Sequence, residues 1–174
     1  MVQSVELLLD EALDDWVWCQ WRALESAGLP SQVRHGSLTN WPHVTLGVAD
    51  SIAPELESAL SDAVAELPIP IQLGGVIWFP GKRHVIARSV VPSAELIAMH
   101  ARVHAILDGP AMVGRRMTPG TWTPHVTLAR GVRPEQLGAV VDCLAGVDGI
   151  GKEPVGIAHT ARRWDSDAKI TWDL

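Results

Sequence analysis

Tyrosine is absent from this chain, phenylalanine occurs once and cysteine only twice in 174 residues. The two thiols, Cys19 and Cys143, lack the spacing of a disulfide framework or a metal cluster, so a reducing cytoplasm is the expected setting. Long apolar runs are missing too. No segment approaches the roughly 20 residues of a membrane helix, and no membrane association is expected. The stretch from Met1 to Asp10 has no basic residues ahead of its apolar letters, so no secretory signal is read there. Basic charge is scarce: 14 lysines and arginines stand against 20 carboxylates, for a formal net charge of −6. That balance argues against counterion-driven binding to long nucleic acid and favours a small or terminal phosphodiester. A linker rich in glycine, serine or charge is lacking as well, so residues 1–174 read as a single domain.

What is present is a long enough chain, 47% apolar and 20% charged, to bury a sizeable core. It also contains one pentapeptide twice. Pro42-His43-Val44-Thr45-Leu46 returns as Pro124-His125-Val126-Thr127-Leu128. Val-Thr-Leu is β-prone, and residues i and i+2 of a strand share a face, so His43 sides with Thr45 while Val44 sides with Leu46. One face is core and the other carries an imidazole and a hydroxyl. Pro42 and Pro124 hold the residue before them extended, which suits a strand entrance.

The element order around the motifs is also repeated. Ser4 to Leu9 reads as a strand, and Asp10 as the cap of a helix from Glu11 to Ala27. Pro42 to Val48 is the first motif strand, followed by a Pro54-started helix running toward Leu67. Strands at Ile69 to Phe79 and Arg83 to Val91 flank the turn Pro80-Gly81-Lys82. Ser93 caps a helix to Leu107, and Pro124 to Arg130 is the second motif strand. A helix over Pro134 to Leu144 and strands over Pro154 to Arg163 and Lys169 to Leu174 complete the chain. The longest irregular segment, Gly109 to Thr123, is a candidate substrate loop.

Two His-x-Thr-x motifs about half a domain apart, in this repeated context, resemble the two-histidine (2H) phosphoesterase superfamily, which includes the 2′-5′ RNA ligase-like and cyclic phosphodiesterase proteins. The first copy continues Gly47-Val48-Ala49, unlike the more apolar or aromatic continuation of the RNA ligase-like branch. The duplicated order predicts an α+β, bilobal fold: two pseudo-symmetric β-rich lobes with outer helices around a central groove carrying both motifs. The resemblance implies a metal-independent enzyme acting on 2′,3′-cyclic phosphates or 2′-5′ phosphodiesters of RNA ends or nucleotides. It requires no cofactor, and a monomer is expected.

Cleavage of a phosphodiester needs a base for the attacking hydroxyl and an acid for the departing ribose oxygen. His43 and His125 can supply both, since imidazole titrates near pH 6.5. Thr45 and Thr127 can hydrogen-bond non-bridging phosphate oxygens. The resemblance suggests His125 as base and His43 as acid for hydrolysis to a 2′-phosphate, with the roles exchanged in reverse. Arg130, Arg115 and Arg116 are candidate phosphate contacts, although plain alternation puts Arg130 on the face opposite His125. Trp41 and Trp122, close before the motifs, are candidate base-stacking residues at the groove rim. No metal site is read: His100 and His104 are one helical turn apart, but Ala101 stands where a zinc-protease motif has its glutamate. Two other functions fit the same letters: a non-catalytic module binding a nucleotide or RNA end, and a hydrolase of small cyclic nucleotides such as ADP-ribose cyclic phosphate.

Overall fold

The computed structural model describes residues 2–34, 39–107, 117–147 and 151–174. Strand β1 (Gln3–Leu9) leads into helix α1 (Glu11–Ser26), and β2 (His43–Ala49) starts on the first motif histidine. A 3₁₀ turn at Pro54–Leu56 opens α2 (Glu57–Ala63), then β3 (Ile69–Phe79) and β4 (His84–Val90) form a hairpin. Helix α3 (Ala94–Leu107) precedes β5 (His125–Val132), which starts on the second motif histidine. A second proline-started 3₁₀ turn, Pro134–Gln136, opens α4 (Leu137–Ala145), and β6 (Val155–Asp165) and β7 (Ile170–Asp173) close the chain.

Local chemistry sets these boundaries. Asp10 caps α1 through Oδ1, which accepts from the Leu13 amide at 2.9 Å, while its Oδ2 accepts from the Ile157 amide of β6 at 2.7 Å. Ser93 Oγ accepts from the Leu96 amide at 3.2 Å at the start of α3. The helix expected to run from Pro54 toward Leu67 ends earlier, at Ala63. The amides of Val64, Ala65 and Leu67 bond three residues back, tightening the chain into turns ahead of Pro68.

All strand pairs are antiparallel, and the seven strands make one sheet in the order β2-β1-β6-β3-β4-β5, with β7 on β6. The fold is α+β. The repeat is wider than the motif, its proline-started helix and a hairpin: strand, helix, motif strand, helix, strand occurs twice, with β7 added at the end. Exchanging β1 with β4, β2 with β5 and β3 with β6 returns the same order read backwards. The motif strands β2 and β5, at the two ends of that order, touch each other.

The core lies between the sheet and α1, α2, α3 and α4. Val44, Leu46, Val126 and Leu128, the apolar alternates of both motifs, are fully buried there, each stabilising by about 1.5–3 kcal/mol. Trp21 of α1 is buried too, and its indole N–H donates to the Thr127 carbonyl at 2.9 Å, which ties α1 to the second motif strand. Gly47 of β2 sits against α3: a Cβ there would meet Leu107 Cδ1 at 2.6 Å and Val103 Cγ1 at 3.2 Å. Among the described residues, no helix is long and apolar enough to cross a membrane.

Because Asp10 serves both a helix cap and a strand amide, Asp10→Ala is expected to lower unfolding stability by about 1–2 kcal/mol. Urea unfolding measures this, and an unchanged midpoint would show that neither bond contributes.

Candidate active site

Each motif histidine enters its strand from an X-Pro step, which holds the residue two positions back extended and aims its carbonyl at the ring. His43 Nδ1 lies 2.6 Å from the Trp41 carbonyl oxygen, and His125 Nδ1 lies 2.7 Å from that of Thr123. A carbonyl only accepts, so Nδ1 must carry the proton in both rings. Every neutral state therefore leaves Nε2 as the acceptor.

The strands then bulge at the same motif position. In β2, Thr45 pairs with Glu6 and Gly47 with Val5, so Leu46 is the extra residue; in β5, Thr127 pairs with Ala87 and Ala129 with Ile86, so Leu128 is. One extra residue reverses the alternation beyond it. Arg130 pairs with Val85, which shares a face of β4 with Ala87 and Ser89, the partners of Thr127 and His125. Arg130 thus comes round to the side of His125, contrary to plain alternation, and Val48 does the same in β2.

Two recesses open on this face. One, of about 210 Å³, is walled by His125, Arg130, Phe79, Val85, Met117 and Trp122 among others. The other, of about 350 Å³, is walled by His43, Thr45, Glu6, Arg162, Asn40 and Trp164 among others, and by Arg130 again. Arg130 is common to both walls. Burial, then the Arg130 and His43 charges, push the His125 pKa below the usual histidine value, against the raising effect of its Thr123 bond. Thr127 faces the same way as His125 but is 7% exposed and forms part of neither wall.

The expected tryptophans part company. Trp122 is in the His125 recess, with one face covered by the His100 ring, stacked at 3.9 Å and 2°. Trp41 packs edge-on against Trp18 of α1 and borders a third recess with Leu8, Asp14 and His159. Its contribution next to His43 is its carbonyl. Arg115 and Arg116, and most of the candidate substrate loop Gly109 to Thr123, lie outside the described residues.

Sequence reasoning passes over Glu6, Arg162, Phe79 and Trp164. Glu6 is 3% exposed and register-paired with Thr45; its Oε2 accepts from Arg162 Nε at 2.9 Å, and its Oε1 accepts from Ser4 Oγ at 2.7 Å. The same Oε1 lies 3.5 Å from His43 Nε2. Burial pushes the Glu6 pKa up, yet the charges of His43 and Arg162 and the bonds from Ser4 and Arg162 outweigh it and hold the carboxyl below its ordinary range. Phe79 and Trp164 occupy corresponding places in β3 and β6, paired with Val85 and Ser4, and the Phe79 ring centroid lies 4.7 Å from that of His125. The available signal was a lone carboxylate within the apolar strand Val5-Glu6-Leu7 and an arginine pair inside β6.

With this arrangement in view, the profile of the 2′-5′ RNA ligase superfamily matches residues 10–148. The chain belongs to the 2′-5′ RNA ligase superfamily, the 2H phosphoesterases. Solved structures agree in fold. Kluyveromyces marxianus Usb1 superposes with a TM-score of 0.56 at 12% identity, covering 99% of this chain and 97% of that one. The same protein with uridine monophosphate gives 0.55 at 13%, covering 99% and 98%. A structure described as a phosphoesterase gives 0.59 at 16%, covering 99% and 92%. No curated protein matches by sequence.

Arg162→Ala would strand the Glu6 carboxylate in a buried place, at an expected cost of about 3–5 kcal/mol at pH 7. The depressed Glu6 pKa means that its stabilising contribution is present above the ordinary carboxyl value of 4.5 and is lost as pH falls through the folded value. The deficit of Arg162→Ala should therefore shrink between pH 7 and pH 3. Equal deficits at both pH values, by chemical denaturation, would contradict the pairing.

Proposed function

We propose that this 2H protein is a metal-independent phosphodiesterase that opens 2′,3′-cyclic phosphates or 2′-5′ phosphodiester bonds of RNA ends or nucleotides. The observation that carries the reading is the pair of imidazoles, each with Nδ1 bonded to a carbonyl and Nε2 left for proton transfer, on either side of Arg130. The motif strands then form the two sides of a groove between pseudo-symmetric lobes. A phosphodiester there has Arg130 for its charge and the Thr45 hydroxyl, on the wall of the His43 recess, for a non-bridging oxygen, with the buried Thr127 on the same face beneath.

In hydrolysis of a 2′,3′-cyclic phosphate, His125 Nε2 takes a proton from water as the water oxygen attacks phosphorus. The bond from phosphorus to O3′ breaks, and His43 Nε2 delivers its proton to O3′, leaving a 2′-phosphate and a 3′-hydroxyl. The lowered His125 pKa supports this assignment, because a base must be neutral when substrate arrives. With a 5′-hydroxyl in place of water the same steps form a 2′-5′ bond, and run backwards, with O3′ attacking phosphorus and the 5′-oxygen taking the proton as it leaves, they open one. A nucleotide as ligand is in keeping with the Usb1 structure that holds uridine monophosphate. The His125 recess, with Phe79 and Trp122, is an apolar place for a base.

His43→Ala and His125→Ala should each reduce turnover by about 10²–10⁴-fold with circular dichroism unchanged. Thr45→Val should lose less, since it deletes one hydrogen bond, and Thr127→Val less still, since that hydroxyl is buried outside both walls. A panel of 2′,3′-cyclic nucleotides, ADP-ribose cyclic phosphate, 2′-5′ dinucleotides and cyclic-phosphate RNA ends, followed by phosphorus NMR in EDTA, identifies the substrate. Tight binding with no turnover anywhere on that panel would instead mark a binding module.

kcat/KM should trace a bell against pH, measured in EDTA. The acid limb belongs to the base, and burial, then the Arg130 cation, disfavour the charged form of His125, so the limb should fall below the ordinary value of about 6.5. Arg130→Ala removes that cation and should move the limb upward. A flat profile, or activity abolished by EDTA and restored by zinc or magnesium, would overturn the mechanism.

A further inference from the structure

The duplicated backbone supplies its own control experiment. Corresponding residues of the two halves occupy the same register positions, so any difference in side chain between them is a difference in chemistry at otherwise equivalent places. Opposite Thr45 stands Glu6, and opposite Glu6 on the next strand stands Arg162. In the other half, opposite Thr127 stands Ala87, and opposite Ala87 stands Ile77. A carboxylate and a guanidinium in one copy answer a methyl and a butyl group in the other. The two motif histidines, identical in sequence context and in their Nδ1 bonds, thus face different partners through Nε2.

We propose that Glu6 is a positioning residue that keeps a proton on Nε2 of His43, making His43 the acid and giving the two-histidine site a single direction. This rests on the phosphodiesterase reading above. Glu6 Oε1 lies 3.5 Å from His43 Nε2, within ion-pair range, and Nδ1 is already committed to the Trp41 carbonyl. The proton that varies on His43 is therefore the one Glu6 faces. Glu6 cannot be the acid itself: buried, doubly bonded by Arg162 and bonded by Ser4, it stays ionised. Arg162 offsets the cost of burying the carboxylate through Oε2, and Oε1 is left facing Ser4 and His43.

The other charged groups among the described residues on this side are the guanidiniums of Arg162 from β6 and Arg130 from β5, joined by His125 of β5 when it is protonated. Each disfavours an imidazolium at His43, so Glu6 alone among the described residues around Nε2 favours one. Among the described residues His125 has no such partner; its neighbours there are Arg130, the Phe79 ring and a largely apolar wall.

The test is to titrate protein labelled with ¹⁵N-histidine by NMR, which reads each ring without substrate. In the wild type, the His43 imidazolium should persist to higher pH than that of His125. Glu6→Gln should lower the His43 midpoint by about one pH unit, a tenfold loss of imidazolium on its alkaline side, and leave His125 where it was. The alkaline limb of kcat/KM should fall by the same amount. Should Glu6→Gln fail to fold, Glu6→Gln with Arg162→Met removes both buried charges and should lower the midpoint by less, since the Arg162 cation that opposes Glu6 is removed with it. The proposal is overturned if His43 loses its proton at or below the pH at which His125 does, or if neither variant moves it. His43→Ala separates the two ideas: full turnover in that variant defeats the phosphodiesterase reading, whereas an unmoved His43 midpoint with an inactive His43→Ala defeats only the role of Glu6.

Discussion

Everything at the site depends on a short seam, where Ile69 to Gln72 of β3 pair antiparallel with Ala158 back to Val155 of β6. The sheet has two sides, β2-β1-β6 and β3-β4-β5, each drawing strands from both repeats, and this seam joins them into one hydrogen-bonded sheet. A sheet of this many twisted strands curls rather than lying flat. Its end strands are β2 and β5, and they touch. The residues most distant along the ladder of hydrogen bonds are in this way brought face to face, and both are motif strands.

Within that frame the bulges at Leu46 and Leu128 fix what faces what. Before each bulge, the alternation sends Val44 or Val126 to the core and the histidine to the open side. After it, the alternation is reversed, so Val48 and Arg130 return to the histidine's side. Without the extra residue in β5 the guanidinium would point away from His125. A local irregularity in pairing, one extra residue in β5, brings the Arg130 charge to the side of His125.

Symmetry and its breaking have separate uses here. The symmetric part is backbone: two proline-led strand entrances and two Nδ1–carbonyl bonds. The asymmetric part is side chain, with Glu6 and Arg162 beside His43 against Ala87 and Ile77 in the other half. A matched backbone presents two imidazoles with the same Nδ1 bond, while unlike neighbours surround their Nε2 atoms. Acid and base work by identical residues requires both. The polar pair is expensive to bury, and its cost is offset by complete hydrogen bonding of the carboxylate and by the packed core beneath it.

By itself the sequence determined the parts whose causes are local. The helix start at Asp10, the strand starts at His43 and His125, and the shared face of His and Thr all follow from capping chemistry, proline and the period of two. The order of elements was legible for the same reason, and the repeated pentapeptide carried the family. Local periodicity could not foresee the bulges, because an extra residue is defined only against a partner strand. It could not single out Glu6 and Arg162, nor Phe79 and Trp164, because strands far apart in the chain become neighbours only through pairing. Nor could it separate Trp122, which walls a recess, from Trp41, which turns to α1 and leaves its carbonyl to His43. Register and strand order are long-range facts, and they decided which charges surround each histidine.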